Sequence, residues 1–332
     1  MVEEEYGNLL LRGQARRIGK GNSPRSVGPF RARVALATVA ILVGSVACSC
    51  RENPPPPPEP LLTFLGSGQA EVVPVAPGLA YYGITDTLHP WAIHILRMEM
   101  DRCDLGIRVL EAPVGSGENL GRSPVSDLVS TAGGAVLAGV NGDFFTPEGS
   151  PVGTEVVDGE VRRVRGRPAF GWRPGADPWM GTPTLDGDTS LVLGWEVPRG
   201  AGDSESQVIG GFPLLLDGGV RVGDLEVTER PSFAAERHPR TAVGFDADED
   251  LLWVIVVDGR QPGLSVGMSL PELTGLFEAL GVENAMNLDG GGSTVMVLGE
   301  AAVSSPSDAE GERPVANALG FFREAAFCQR GG

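Results

Sequence analysis

The stretch Asn287-Leu-Asp-Gly-Gly-Gly-Ser-Thr-Val-Met-Val297 narrows most what this chain can fold into. Gly290, Gly291 and Gly292 allow positive φ and let other groups come close to the backbone, so the chain turns there. Val295 to Leu298 then reads as a short buried strand, which places the turn at a strand entrance. Asp289 supplies a carboxylate at the rim of the turn, and Ser293 and Thr294 add hydroxyl donors. The three bare glycines leave successive amides open to an anion. A tight turn without a ligand would use the same glycines, so neighbouring stretches have to decide between the two.

A chain of 332 residues has room for one large domain or two ordinary ones and can bury a sizeable core. Its net charge of −17 argues against nucleic acid as a partner, because a phosphate backbone needs a basic face. Of the 26 basic residues only Lys20 is a lysine, so lysine Schiff-base chemistry is excluded in the folded domain and any cation there is a guanidinium. His89, His94 and His238 are too few and too scattered for a His-rich zinc site, and the two near the strand at 91–100 are given no role. No cofactor is required by the sequence. A carboxylate site for a divalent cation, Ca or Mg, remains compatible with it.

The amino terminus has the order of an export signal: basic residues from Arg16 to Arg33, an apolar run from Val34 to Ala47, and small residues before Cys48. That run is shorter than the roughly 20 residues of a bilayer span. Ser45-Val-Ala-Cys48 resembles a bacterial lipobox, so residues 1–47 read as a lipoprotein signal peptide and Cys48 as the lipidated residue. An uncleaved short anchor is the alternative. The exported protein would then face the periplasm or exterior of a bacterial envelope, held to a membrane by its lipid. Residues 1–47 carry +4, which from −17 for the whole chain leaves −21 on the remainder. Arg51 to Pro60 reads as a polyproline II spacer within a tether over 48–78, ahead of one catalytic domain at 79–326. Cys103 and Cys328 are left in the folded part, where an oxidising compartment would let them pair, two free thiols being the alternative.

Along the domain, apolar runs of strand length dominate. Trp91–Met100 and Leu105–Leu110 read as a β-hairpin, and Pro151–Glu160 as a strand and Asp158-Gly159 turn consistent with another. Further strands are expected at Ala169–Trp172, Leu191–Val197, Val208–Leu216, Val220–Val222 and Leu251–Val257. Ser126–Ala132 and Leu270–Leu280 have helical spacing, the second closed by Gly281. Polar residues gather where strands end, at Asn141-Gly-Asp143, Arg240, Asp258-Gly-Arg260 and Asp289. Many strands and few helices give an α+β class: a strand-rich single domain of mixed or antiparallel sheets.

Taken in order, Asn141-Gly-Asp-Phe-Phe145, Arg240-Thr-Ala-Val-Gly244, Val257-Asp-Gly-Arg260, Asn287-Leu-Asp-Gly-Gly-Gly-Ser293 and Arg313-Pro-Val-Ala-Asn-Ala-Leu319 resemble the phosphodiester glycosidase family over roughly residues 85–323. Asp143 stands where relatives often have Gly or another small residue. The resemblance implies an α+β hydrolase that cleaves between a sugar's anomeric carbon and a phosphodiester oxygen, so the expected partner is a phosphorylated glycan or glycosyl 1-phosphate diester. On it, Asp289, Asp258, Asn141 and Asp143 are the candidate catalytic residues. Arg240, Arg313, Gly290, Gly291, Gly292, Ser293 and Thr294 are the candidates for substrate and phosphate. The chemistry agrees with these types: carboxylates stabilise an oxocarbenium-like state, and a guanidinium grips an oxyanion in bidentate fashion. Two other readings use the same residues, a glycan-binding surface lipoprotein without activity and a phosphodiesterase in which Asp143, Asp258 and Asp289 hold a cation and the P–O bond breaks.

Overall fold

The computed structural model describes residues 53–66, 68–86, 88–113, 121–186, 190–192, 196–198 and 206–323. The expected signal at 1–47, Cys48 and Cys328 lie outside these residues. In chain order the elements begin with α1 (Glu59–Leu65), β1 (Gly68–Ala76), β2 (Leu79–Asp86), β3 (Trp91–Glu99), β4 (Leu105–Glu111), α2 (Val125–Ala132) and β5 (Val136–Asn141). Short strands follow: β6 (Glu155–Val157), β7 (Glu160–Arg163), β8 (Ala169–Trp172), β9 (Trp179–Gly181), β10 (Thr184–Asp186), β11 (Ser190–Val192) and β12 (Glu196–Pro198). Then come β13 (Gln207–Gly210), β14 (Leu214–Asp217), β15 (Val220–Arg221), α3 (Pro231–Ala234), β16 (Arg240–Asp246) and β17 (Leu251–Val257). The last are α4 (Leu270–Ala279), β18 (Asn284–Asn287), β19 (Met296–Leu298), β20 (Ala301–Ala302) and β21 (Asn317–Arg323).

One sheet has eight strands in the order β1-β2-β3-β17-β16-β18-β14-β15. Two have five, β20-β19-β5-β21-β4 and β7-β6-β13-β8-β9, and β10-β11-β12 form a small fourth. Every pairing between named strands among the described residues is antiparallel. The unbroken apolar run of β17 follows from covering both faces of the long sheet. Leu252, Val254 and Val256 enter one core with Val140, Leu319 and Phe321 of the facing sheet. Trp253, Ile255 and Val257 enter the other with Leu61 and Leu65 of α1 and Leu270, Leu273 and Phe277 of α4. On the far side of the second sheet, Val125, Leu128 and Val129 of α2 pack against Val297, Ala318 and Phe322. The result is four layers, helices outside and two sheets inside. Each fully buried large aliphatic contributes up to about 1.5–3 kcal/mol.

Local chemistry explains the elements that match expectation. Ser269 and Glu272 form a reciprocal capping box at the start of α4, and Gly281 at φ 73° follows its end. Asp158 and Gly159, at φ 49° and 75°, make the left-handed turn that joins β6 to β7.

Four expectations are corrected. β3 and β4 are no hairpin: β3 pairs with β2 and β17, whereas β4 pairs with β21 in another sheet. Val208–Leu216 divides into β13 and β14, in different sheets, at Gly211-Phe-Pro213, where Pro213 has no amide for a ladder. Leu191–Val197 likewise divides, between β11 and β12. The folded part also starts before residue 79, since α1 buries Leu61 and Leu65, β1 edges the long sheet, and Tyr82 Oη donates to Pro55 O at 3.0 Å.

Candidate active site

The two large sheets bring their polar strand ends to one place. Asn141, wholly buried at the end of β5, makes the junction. Its Oδ1 accepts from Thr241 Oγ1 of β16 at 2.6 Å and from Val295 N at 3.1 Å, and its Nδ2 donates to Asp289 O at 2.7 Å. Asp289 N donates to Gly142 O at 3.0 Å, so the backbone of Asp289 is clamped on both sides. Asn141 is thereby a positioning residue for Asp289.

The Asp289 carboxyl lines an open cleft of about 390 Å³ together with Ser293, Arg122, Arg313 and the loop from Phe144 to Pro147. That loop closes on itself: Thr146 N donates to Ser150 O, Gly149 N to Thr146 O and Val152 N to Phe144 O, each at 2.8 Å. Burial pushes Asp289 up to about 6, opposed by the Ser293 hydroxyl, the Gly290 amide and the charge of Arg313. Gly290 N donates to its Oδ1 at 2.8 Å. Ser293 Oγ is near enough to draw the carboxyl downward, yet it and Thr294 Oγ1 are buried without a hydrogen-bond partner. Buried hydroxyls left this way are costly, and a ligand in the cleft would find Ser293 Oγ free.

The glycine turn works differently from the amide nest expected of it. It is a 3₁₀ turn over Gly291–Ser293 whose amides are mostly spent: Gly291 N donates to Pro239 O, Ser293 N to Gly290 O and Thr294 N to Gly291 O. The glycines are needed for close approach instead. A Cβ on Gly290 would lie 2.8 Å from Pro239 O, and one on Gly291, at φ +62°, 3.2 Å from the Arg260 guanidinium. On Gly292 it would overlap Arg313 Nη2 and Asp308 Oδ2. The turn is thus wedged between two guanidiniums. Asp308 Oδ2 holds Arg313 through Nε at 2.9 Å and Nη2 at 2.7 Å.

Of the other expected residues, Arg240 lies outside this cleft. Its guanidinium is buried and donates to Met268 O at 2.8 Å, Phe233 O at 2.6 Å and Glu236 O at 3.2 Å. Burial, then repulsion from Arg260, lowers it to about 10. Arg260 reaches the glycine turn in its stead, with Nη2 3.3 Å from His238 Nδ1. His238 Nε2 donates to Ser232 O, which leaves Nδ1 to accept. Asp258 is also buried away from the cleft: Oδ2 lies 3.1 Å from His94 Nε2, and Oδ1 accepts from Ser305 N at 2.9 Å. Behind it, His94 Nδ1 meets Tyr81 Oη at 2.8 Å, and burial first, then Glu71 and Asp258, push Tyr81 up to about 12. Asp258 so anchors the loop that leads to Asp308 and Arg313.

Asp143 is buried between Gly153 and Gly210, at either of which a Cβ would come within 2.8 Å of Oδ2. Gly153 N donates to Oδ2 at 2.6 Å, and burial pushes the group up to about 7. Its own amide donates to Asn317 Oδ1, and Asn317 Nδ2 donates to Glu155 Oε1 at 2.6 Å, burial raising Glu155 as well. Among the described residues no three His, Cys, Asp or Glu side chains group as metal ligands. Cys103 is disulfide-bonded. The sequence reading missed Arg122, Glu155 and the tie of His94 to Asp258. Only Glu155 left a trace, as an acid among the apolar residues of Pro151–Val157.

A family model described as phosphodiester glycosidase matches residues 134–322, which include Asn141, Asp143, Asp289 and Arg313. The chain belongs to the phosphodiester glycosidase family. Among solved structures, this family member is similar to the zebrafish N-acetylglucosamine-1-phosphodiester alpha-N-acetylglucosaminidase catalytic domain, auto-inhibited by its pro-peptide. The identity is 25% over 77% of this chain and 82% of that one, with a TM-score of 0.54 to 0.55 shared by all three neighbours named here. A putative exported protein from Burkholderia pseudomallei K96243 is 21% identical over 70% of this chain and 74% of that one. A hypothetical protein from Synechocystis is 15% identical over 77% and 64%. These two show the fold alone. No curated protein matches the chain.

Proposed function

We propose that the protein is an exported hydrolase that cleaves the sugar C1–O bond of a glycosyl 1-phosphodiester in a glycoconjugate or surface polysaccharide. The observation that carries this is the cleft itself, in which one carboxyl and one free hydroxyl, Asp289 and Ser293, stand with two guanidiniums, Arg122 and Arg313. A carboxylate stabilises positive charge at the anomeric carbon, and guanidiniums hold the phosphate as it leaves with the bonding electrons. A phosphate monoester is a stable anion, so no strong general acid is demanded at the leaving oxygen. Asp143 and Asp258 have partners of their own and serve as positioning residues in this reading. Export rests on the order of basic, apolar and small residues before Cys48. Hydrolysis in oxygen-18 water is the test: label in the released sugar supports C1–O cleavage. Label in the phosphate would mean P–O cleavage, and a bound diester that stays intact would mean a glycan-binding protein.

A further inference from the structure

We propose that Arg167 forms a second anion subsite at the side of the cleft, taking a phosphate or carboxylate that the substrate carries besides its phosphodiester. The role given to the substrate rests on the reading above; anion binding at Arg167 does not. The Arg167 guanidinium lies 4.9 Å from the ring centroid of Phe212 and 5.7 Å from that of Phe144, and Phe144 is a wall of the cleft. Both rings are themselves fixed. Phe212 N donates to Asn287 O at 2.8 Å and Phe212 O accepts from Asn287 Nδ2 at 2.7 Å, at the head of the Asp289 motif. Phe144 follows the buried Asp143, and Phe233 packs on Phe144 edge-on and on Phe212 face to face.

Among the described residues Arg167 makes no hydrogen bond and no ion pair; its charge is felt by the buried Asp143 carboxyl, which it draws downward against the effect of burial, without a direct bond between them. In a chain of net charge −17 many of its arginines behave otherwise: Arg97, Arg162, Arg221, Arg237 and Arg313 each meet a carboxylate. Arg230, the other guanidinium on Phe212, is held 3.4 Å from Glu226. Arg167 is therefore ordered by two aromatic faces while its five N–H donors stay open, which lowers the entropy lost when an anion binds. A guanidinium that only packed on rings would bind anions no better than any exposed one.

The test is an NMR titration of the full chain with inorganic phosphate, and separately with acetate, following arginine Nε–Hε signals. The Arg167 signal is assigned by its loss in Arg167→Gln, or in Arg167→Lys if the first variant does not fold. We expect it to saturate at about tenfold lower phosphate or acetate than the exposed Arg165 signal, as a preorganised charge-assisted contact would. Tighter phosphate binding marks a phosphate-bearing substrate, and tighter acetate binding a carboxylate-bearing one. In Arg313→Gln the Arg167 titration should change by less than about twofold, as independent sites do. Movement only in step with Arg165, or disappearance of the titration in Arg313→Gln, would overturn the proposal. Absence of diester hydrolysis would leave these titrations unchanged, so the two readings fail separately.

Discussion

Asp289 and Asp258 are both strand-end aspartates followed by glycine, yet their surroundings divide the work between them. Asp289 lines the cleft with a carboxyl raised to about 6, whereas both carboxylate oxygens of Asp258 are held by His94 and Ser305. Asp289→Asn keeps the shape and removes the charge, so kcat should fall by orders of magnitude while the thermal midpoint near neutral pH does not fall below that of the parent. Near-normal turnover in a folded variant would take Asp289 out of the mechanism. Because the reaction needs the carboxylate form, kcat/KM should rise with pH to an acid limb near 6. The arginines separate in the same manner. Arg313→Ala removes a contact worth about 1.5–3 kcal/mol, so KM for diesters should rise more than for uncharged aryl glycosides. Arg240→Ala should instead lower stability by roughly 2–5 kcal/mol, because its charge-assisted bonds to three carbonyls go together and do not add fully. Urea melts of the two variants beside their KM values check this.

The glycine turn sets where Arg313 can lie. A Cβ at Gly292 would meet the flexible ends of Arg313 and Asp308 rather than backbone, so both can move aside at small cost in stability. Gly292→Ala should therefore raise KM with little change in melting temperature, and a melting loss without a KM effect would mean the turn is purely structural. This turn also marks how far the sequence could be read. Asp289, Ser293 and Arg313 lie in contiguous motifs and were legible, as were α4 and the β6–β7 turn, whose signals are local. Alternation identifies β3 and β4 as strands but not their partners, and β3 lies against β17, more than 150 residues on. The bonds from His94 to Asp258 and from Asn317 to Glu155 span 164 and 162 positions, and Arg122 enters the cleft from a loop outside every motif. No local pattern carries such pairings. The glycines were legible as a close approach, but what approaches them, guanidiniums and Pro239 O, comes from loops distant in sequence.

For the molecule as a whole, two buried carboxyls at one end of the sheets tie stability to pH. Folded Asp143 titrates near 7 against an ordinary value of 3.8, and Asp289 near 6. Between about pH 4 and 7 the folded protein keeps protons that the unfolded chain has lost, so stability falls as pH rises through that window. Asp143→Asn retains an acceptor for Gly153 N and should flatten the decline between about pH 4 and 7, read as thermal midpoints of both proteins. An unchanged slope would mean that Asp143 is ionised without penalty. Both sheets reach Asp289 through Asn141, so the reacting groups belong to the frame, while the Phe144–Val152 loop bonds chiefly to itself. That separation makes the loop an exchangeable cassette: a sequence grafted at 145–150 would alter which aglycones enter, and the frame around Asp289 would carry the same chemistry to them.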